Sequence, residues 1–354
     1  MKKPEQISKI FSTKRILSAV VIGMMVSIYL IFRDFDFEKY KSINWGYHTV
    51  FYVFIAFLMM AVRDVAYMYR LRVLTGNKII WRHSFQVIML WEFASALTPS
   101  VVGGSAAAFY IVSKECDSVG KSTAIVMITA LLDELFYIVM VPLLFIFIST
   151  DLLFVQGQFN FFGLGLFPTK FVFVTGYAFI LLLTSIISFA VFVKPVWFKK
   201  LLVYIFSFSL LQKWKMKAEK TGDEIIITSR EMKGKSLGFW LKAFGATFFS
   251  WTARFWVVNF LILAFAAGGD QLLIYARQLV MWVILLISPT PGGSGVAEYI
   301  LPKFIGEYMG NFGNEIALMW RLISYYAYLI IGSVVLPLWL KRIYLNKKNE
   351  KEIS

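Results

Sequence analysis

The chain is poor in the residues from which soluble enzymes build their sites. Its 354 residues contain one cysteine, Cys116, and two histidines, His48 and His83. A single cysteine permits no internal disulfide. The two histidines fall at opposite ends of apolar segments, so no zinc constellation can form. Charged residues make up only 16% of the chain, too few to clothe a soluble fold of this length. Acidic side chains are scarcest, 21 against 36 basic, for a net charge of +15. The basic excess lies in short segments between apolar runs and at both ends, which is the positive-inside distribution and not a nucleic-acid surface. No nucleic-acid partner is expected.

What fills the chain is hydrocarbon. Hydrophobic residues reach 59% and aromatics 18%, with a mean hydropathy of +0.69. Apolar runs long enough for the roughly 20 helical residues that cross a bilayer occur at Ile16 to Phe32, Trp45 to Tyr67, Thr123 to Ser149, Phe171 to Val193, Leu237 to Ala266 and Phe312 to Leu340. The first resembles a signal peptide, but Arg33-Asp34 follows it without a small-x-small cleavage site, so it reads as an uncleaved span. Ser84 to Val112 and Gln271 to Ile305 are also apolar, yet each is broken, at Pro99 to Ser105 and at Pro289 to Gly295. Non-helical backbone at membrane depth is tolerated only against protein or a wet cavity.

Each broken segment is either one interrupted crossing or a re-entrant hairpin. The N-terminus, with Lys2, Lys3, Lys9, Lys14 and Arg15 against Glu5, reads as cytoplasmic. Two hairpins then keep the basic 63–82 loop, the 194–236 segment and the tail inside, and export the Thr150 to Thr169 loop, which has no lysine or arginine before Thr169. Interrupted crossings would export the most basic loop, so hairpins are preferred. The fold class expected is all-α and polytopic: six spans plus two re-entrant Pro/Gly hairpins in an inverted repeat, in the cytoplasmic (inner) membrane with both termini inside. Its divisions are residues 1–193 with hairpin 84–112, a basic linker 194–236, residues 237–340 with hairpin 271–305, and a tail 341–354. The shared Gly-Gly-Ser wording of the tips is also ordinary turn chemistry. Trp197 to Trp214 reads as an interfacial helix, and Lys213 to Lys235 as the stretch that could be mobile and soluble.

Ionisable residues inside spans are functional suspects. They are Glu92, Asp133, Glu134, Arg254, Arg277, Glu298 and Arg321, whereas Arg63, Asp64 and Glu315 lie nearer predicted helix ends, where snorkelling suffices. Structural pairing of the arginines with Glu92, Asp133 or Glu134 is the plain alternative to a ligand role. Helix starts at Ser105-Ala106-Ala107-Ala108 and at Ser294-Gly295-Val296-Ala297, each following a Gly-Gly pair, would each aim N–H groups at mid-membrane, a setting for an anion. Arg254, Arg277 and Arg321 could bind a phosphate beside them. Glu298 would compete with that phosphate, which makes it a proton site or an arginine partner. The second tip lacks the Lys-Ser/Thr of a nucleotide-binding loop, and no strand precedes it.

The run Pro289-Thr290-Pro291-Gly292-Gly293-Ser294-Gly295-Val296-Ala297-Glu298, followed by Trp320-Arg321-Leu322-Ile323-Ser324-Tyr325-Tyr326, resembles the signature of the lysylphosphatidylglycerol synthase/flippase membrane-domain family. Leu97-Thr98-Pro99 with Gly103-Gly104-Ser105 matches its first-half element more loosely, with Ser100-Val101-Val102 intervening. The resemblance covers most of the chain and implies lipid translocation, with Pro291, Gly292, Gly293, Gly295, Glu298 and Arg321 as functional positions. In two-domain members a separate cytoplasmic domain makes the aminoacyl lipid; here only residues 341–354 follow Leu340, so synthase activity is not expected.

The reading that results is a flippase or transporter for an anionic, phosphate-bearing lipid or lipid-linked intermediate, without cofactor or metal. Its rivals are a membrane-embedded transferase acting on a lipid phosphate, with Asp133 or Glu298 as base, and a non-transporting scaffold whose basic 194–236 surface holds a lipid-modifying enzyme or anionic lipid.

Overall fold

The structure, a computed structural model, describes residues 45–98, 100–116, 118–155, 158–160, 166–208, 212–266, 268–285 and 296–353, with Glu38 and Lys41. Ile16 to Phe32, Pro99 and Pro289 to Gly295 lie outside that set. Among the described residues, five helical stretches are long and apolar enough to cross a membrane: Tyr47–Leu74, Val119–Phe147, Thr169–Val193, Leu237–Phe265 and Gly310–Ile343.

The chain opens with α1 (Tyr47–Leu74), followed by two shorter helices, α2 (Trp81–Leu97) and α3 (Ser100–Glu115), and then by α4 (Val119–Phe147). A single turn at Thr150–Leu153 and a two-stranded antiparallel pair, β1 (Gln158–Asn160) and β2 (Leu166–Pro168), lead into α5 (Thr169–Ser188). The strands depart from the all-α expectation, among the described residues only in this loop. After α6 (Pro195–Ile205) and α7 (Lys215–Lys233), the pattern of the first part returns as α8 (Leu237–Phe265), α9 (Gln271–Leu285), α10 (Val296–Ile305) and α11 (Gly313–Arg321), the last continuing through a π-turn at Leu322–Tyr326 into α12 (Ala327–Ile353). A long helix, two short ones and a long one thus occur twice.

Local chemistry sets several boundaries. Ser118 and Ser236 cap α4 and α8, their hydroxyls accepting from Lys121 N–H at 3.0 Å and Phe239 N–H at 3.3 Å. Helix α1 does not end at Tyr67 as the sequence suggests but runs to Leu74. It stops at a turn in which Gly76 and Asn77 take positive φ.

Helices α1 and α8 form the central and most extensive packing, and they run antiparallel. Thr49 Oγ1 donates to Ala264 O at one end (3.1 Å), Ser250 Oγ to Arg63 O near the middle (3.1 Å), and Arg70 Nη1 to Thr247 Oγ1 toward the other end (2.9 Å). Helices α2 and α3 fold back on each other, with Ser95 against Gly104 near the tip and His83 3.6 Å from Glu115 at the open end. Helix α9 likewise meets the end of α10, where Arg277 donates to Phe304 O at 3.1 Å. The two pairs open toward opposite ends of the bundle. The open end of α2–α3 lies beside the end of α12 through Glu115, Arg342 and Trp339, and that of α9–α10 lies beside the Thr150–Leu153 turn through Arg277 and Leu152.

The basic linker is built into the bundle, which corrects the expectation that Lys213 to Lys235 could be mobile and soluble. Helix α7 buries Ala218, Gly222, Ile225, Ser229 and Met232. Its Glu224 accepts from Gly120 N–H at 2.7 Å and Ser118 Oγ at 3.0 Å, at the start of α4. Helix α6 packs on α7 and keeps Trp197, Leu201 and Tyr204 exposed beside its lysines, the composition of a helix lying at a membrane surface.

Close helix contact rests on small residues. Gly332 of α12 lies so near Phe93 of α2 that a Cβ would sit 2.3 Å from Phe93 Cβ. We expect Gly332→Leu to lower stability in detergent by about 1 to 3 kcal/mol through overpacking, and Phe93→Ala added to it to recover part of the loss, read by thermal unfolding. Equal midpoints for Gly332→Leu and the native chain would show that α2 and α12 do not meet this way.

Candidate functional site

The charged residues gather on α1, in positions that sequence reading left aside. Arg63, Tyr67 and Arg70 follow one another at helical spacing on the inner face of α1, so the Tyr67 ring lies between two guanidinium groups, 4.4 Å from Arg63 and 4.5 Å from Arg70. Arg63 does not snorkel. It is 1% exposed and donates to Asp64 (2.8 Å), to Glu92 of α2 (2.5 Å) and to the Tyr328 hydroxyl of α12 (3.0 Å). The Tyr328 hydroxyl in turn donates to Asp64 at 2.8 Å. Arg70 grips both carboxylate oxygens of Asp133 on α4, at 2.6 and 3.2 Å, and Trp251 Nε1 of α8 donates to the same carboxylate at 2.8 Å.

Glu92 and Asp133 therefore find arginine partners, but these are Arg63 and Arg70 and not Arg254, Arg277 or Arg321. Arg70, Glu92, Thr129 and Asp133, with Tyr67, Leu71, Ile88 and Trp91, line a cavity of about 60 Å³, large enough for water. Glu134, on another face of α4, is buried, and its Oε2 has no hydrogen-bond partner.

The three arginines expected to bind a phosphate lie apart. Arg277 fastens one end of the bundle, donating to Leu152 O (2.8 Å), Phe304 O (3.1 Å) and Glu307 (2.7 Å). Arg321 is buried immediately before the π-turn, with its guanidinium 4.0 Å over the Tyr325 ring. The Tyr325 hydroxyl donates to Ala96 O at 3.0 Å, so Arg321 stands by the tip of α2–α3. Arg254 lies just past the middle of α8, 4.5 Å over Trp282 of α9 and 5.5 Å from Trp251. It makes no ion pair among the described residues, and its buried Nε has no acceptor.

The first tip is built differently from expectation. Gly103 and Gly104 do not precede a helix that begins at Ser105. They lie inside α3, which begins at Ser100, and Gly104 is not among the positive-φ glycines. Its smallness is what counts: a Cβ would come 2.1 Å from Ser95 Oγ on α2. Ser105 is half-buried on the same helix. Pro291, Gly292, Gly293, Ser294 and Gly295 lie outside the described residues, as does the Glu298 side chain, whose backbone belongs to α10.

At the open end of α2–α3, Glu115 joins three elements: it accepts from Trp339 Nε1 at 2.7 Å and from Arg342, which also donates to Gln86 at 3.0 Å. Burial and the Arg342 charge hold the nearby His83 imidazole below its usual range, so at neutral pH Arg342 is the cation that faces Glu115.

Removing one member of a buried ion pair strands the other's charge. We therefore expect Arg63→Ala to cost about 3 to 5 kcal/mol, leaving Asp64 and Glu92 without a cation, and the Arg63→Ala, Glu92→Gln double variant to cost less than Arg63→Ala alone. Unfolding midpoints in detergent read this. An Arg63→Ala protein as stable as the native chain would contradict the network.

The chain matches the family described as the lysylphosphatidylglycerol synthase TM region over residues 15–332. A UPF0104 membrane protein of Archaeoglobus fulgidus is 25% identical over 333 residues, 89% of this chain and 95% of the relative. No solved structure matches. The family match runs through all four hairpin helices, the charged face of α1 and Arg321, and with five apolar helices of spanning length the chain is a multi-pass membrane protein that belongs to the lysylphosphatidylglycerol synthase TM-region family.

Proposed function

We propose that the protein is a flippase, moving an anionic, phosphate-bearing lipid or lipid-linked intermediate across the cytoplasmic membrane. In this reading α2–α3 and α9–α10 are re-entrant hairpins. With Ile16 to Phe32 as a sixth span, they form two inverted repeats with both termini inside.

The observation that carries the reading is the arrangement of the hairpins. They open toward opposite ends of the bundle, and a buried or half-buried arginine stands by each: Arg321 by the tip of α2–α3, and Arg254 against Trp282 near the far end of α9. At 17, 16, 15 and 10 residues, these helices fall short of the roughly 20 needed to span. Positive charge near the middle of an apolar bundle, reached from either side, is what a headgroup needs to cross while its acyl chains stay in the bilayer. The family's connection to a lipid-modifying enzyme supports a lipid as cargo.

The test is transport in proteoliposomes carrying phosphatidylglycerol with a fluorescent label, in which an impermeant reductant bleaches label reaching the outer leaflet. We expect the protein to expose the inner-leaflet label, Gly104→Ala to slow the process by wedging α2 from α3, and Ser95→Gly added to it to restore the rate. Folded native protein that leaves the inner leaflet protected would contradict the flippase. A chemically altered headgroup would favour the transferase instead.

A further inference from the structure

The two long central helices each carry an arginine just past their midpoints, Arg63 on α1 and Arg254 on α8, and the helices are antiparallel partners. Each arginine is met by the first helix of the hairpin that follows it. For Arg63 the group offered is a carboxylate, Glu92 at 2.5 Å; for Arg254 it is an indole, Trp282 at 4.5 Å. The sequence repeats in step with this, since the same separation along the chain divides Arg63 from Arg254 and Trp91 from Trp282. One arginine is neutralised by the chain's own acids, and its counterpart has no ion-pair partner among the described residues.

We infer that Arg254 is the seat of the cargo's phosphate, and that Glu92 does for Arg63 what that phosphate does for Arg254. A guanidinium that lies over an indole ring and has no ion-pair partner among the described residues keeps N–H donors to offer, and a guanidinium can match two oxygens of a phosphate or carboxylate at once. A charge placed there without an internal partner is costly until an anion arrives. A third element completes the seat. Tyr137 of α4 packs its ring 5.1 Å from Trp251, and its buried hydroxyl has no partner, which leaves a donor for the same oxyanion. The inference rests on the transporter reading for what the seat is used for, but the seat itself can be tested by binding alone.

Purified protein in detergent is titrated with dioctanoyl phosphatidylglycerol, dioctanoylglycerol and inorganic phosphate. Tryptophan fluorescence is followed, and Trp282→Phe identifies the signal that comes from the site. Saturable change with the phospholipid and none with dioctanoylglycerol is expected. Inorganic phosphate that competes at equal concentration would overturn a lipid cargo in favour of a soluble anion. Arg254→Ala should weaken phospholipid binding about tenfold or more, the loss of a charge-assisted hydrogen bond, with Arg254→Lys regaining part. Trp282→Glu, which offers Arg254 a carboxylate as α2 offers Arg63, should abolish binding without lowering the unfolding midpoint.

Phospholipid affinity in Arg254→Ala within about twofold of native would overturn the seat. So would a fall in its unfolding midpoint as large as that of Arg63→Ala, because an arginine that waits for a ligand does not hold the fold. The flippase reading fails separately. Native protein that binds phospholipid through Arg254 yet transports none keeps the seat and loses the transporter, while undiminished transport by Arg254→Ala loses the seat and keeps the transporter.

Discussion

An ionised side chain in hydrocarbon is costly until it meets a counter-charge, and Arg63 is where this chain supplies that counter-charge most fully from its own side chains. Its guanidinium collects Asp64 from its own helix, Glu92 from α2 and the Tyr328 hydroxyl from α12. One cation thereby fixes the first hairpin and the last long helix against α1. Arg70 does the same for α4 through Asp133, and Trp251 brings α8 to that carboxylate. The hydrophobic effect does not choose among ways of bundling helices in lipid, where the tails are as apolar as leucine, so close packing and interhelical polar contacts must. These polar contacts are specific, so they select one arrangement.

Small residues let the same arrangement close. Gly332 brings α12 onto Phe93, and Gly104 brings α3 onto Ser95, so the first hairpin is pressed tightly on both sides. The α7 carboxylate Glu224 meets the start of α4, which ties the basic surface of the linker to a long helix. A lysine-rich, aromatic face on α6 is therefore held in register with the bundle rather than tethered loosely to it.

Much of this architecture is legible as apolar length and loop charge: five of the expected spans have counterparts among the described helices, α1 running further than expected, and each broken segment holds a pair of short helices. What escaped was non-local. The apolar run that begins at Trp45 fades past Tyr67, yet α1 continues to Leu74 because Arg70 is neutralised by Asp133, far along the chain. Spacing did hold a signal, since Arg63, Tyr67 and Arg70 fall on one helical face. Helix α7 held another: Ala218, Gly222, Ile225, Ser229 and Met232 recur at helical intervals among lysines and mark a buried stripe. Gly103-Gly104 suggests a turn because glycine permits one, whereas the close approach of Gly104 to Ser95 asks for glycine equally, and the two are distinguished only by what lies opposite. Arg254 was recognised as suspect from its depth; that it lacks the acid its counterpart has is visible only in three dimensions.

The most direct measurement is an experimental structure of the protein in nanodiscs containing phosphatidylglycerol. The account predicts phosphate density within hydrogen-bonding distance of the Arg254 guanidinium, between α4, α8 and α9, with Glu92 still on Arg63. A carboxylate of the protein seated on Arg254, with the lipid phosphate bound elsewhere, would contradict it.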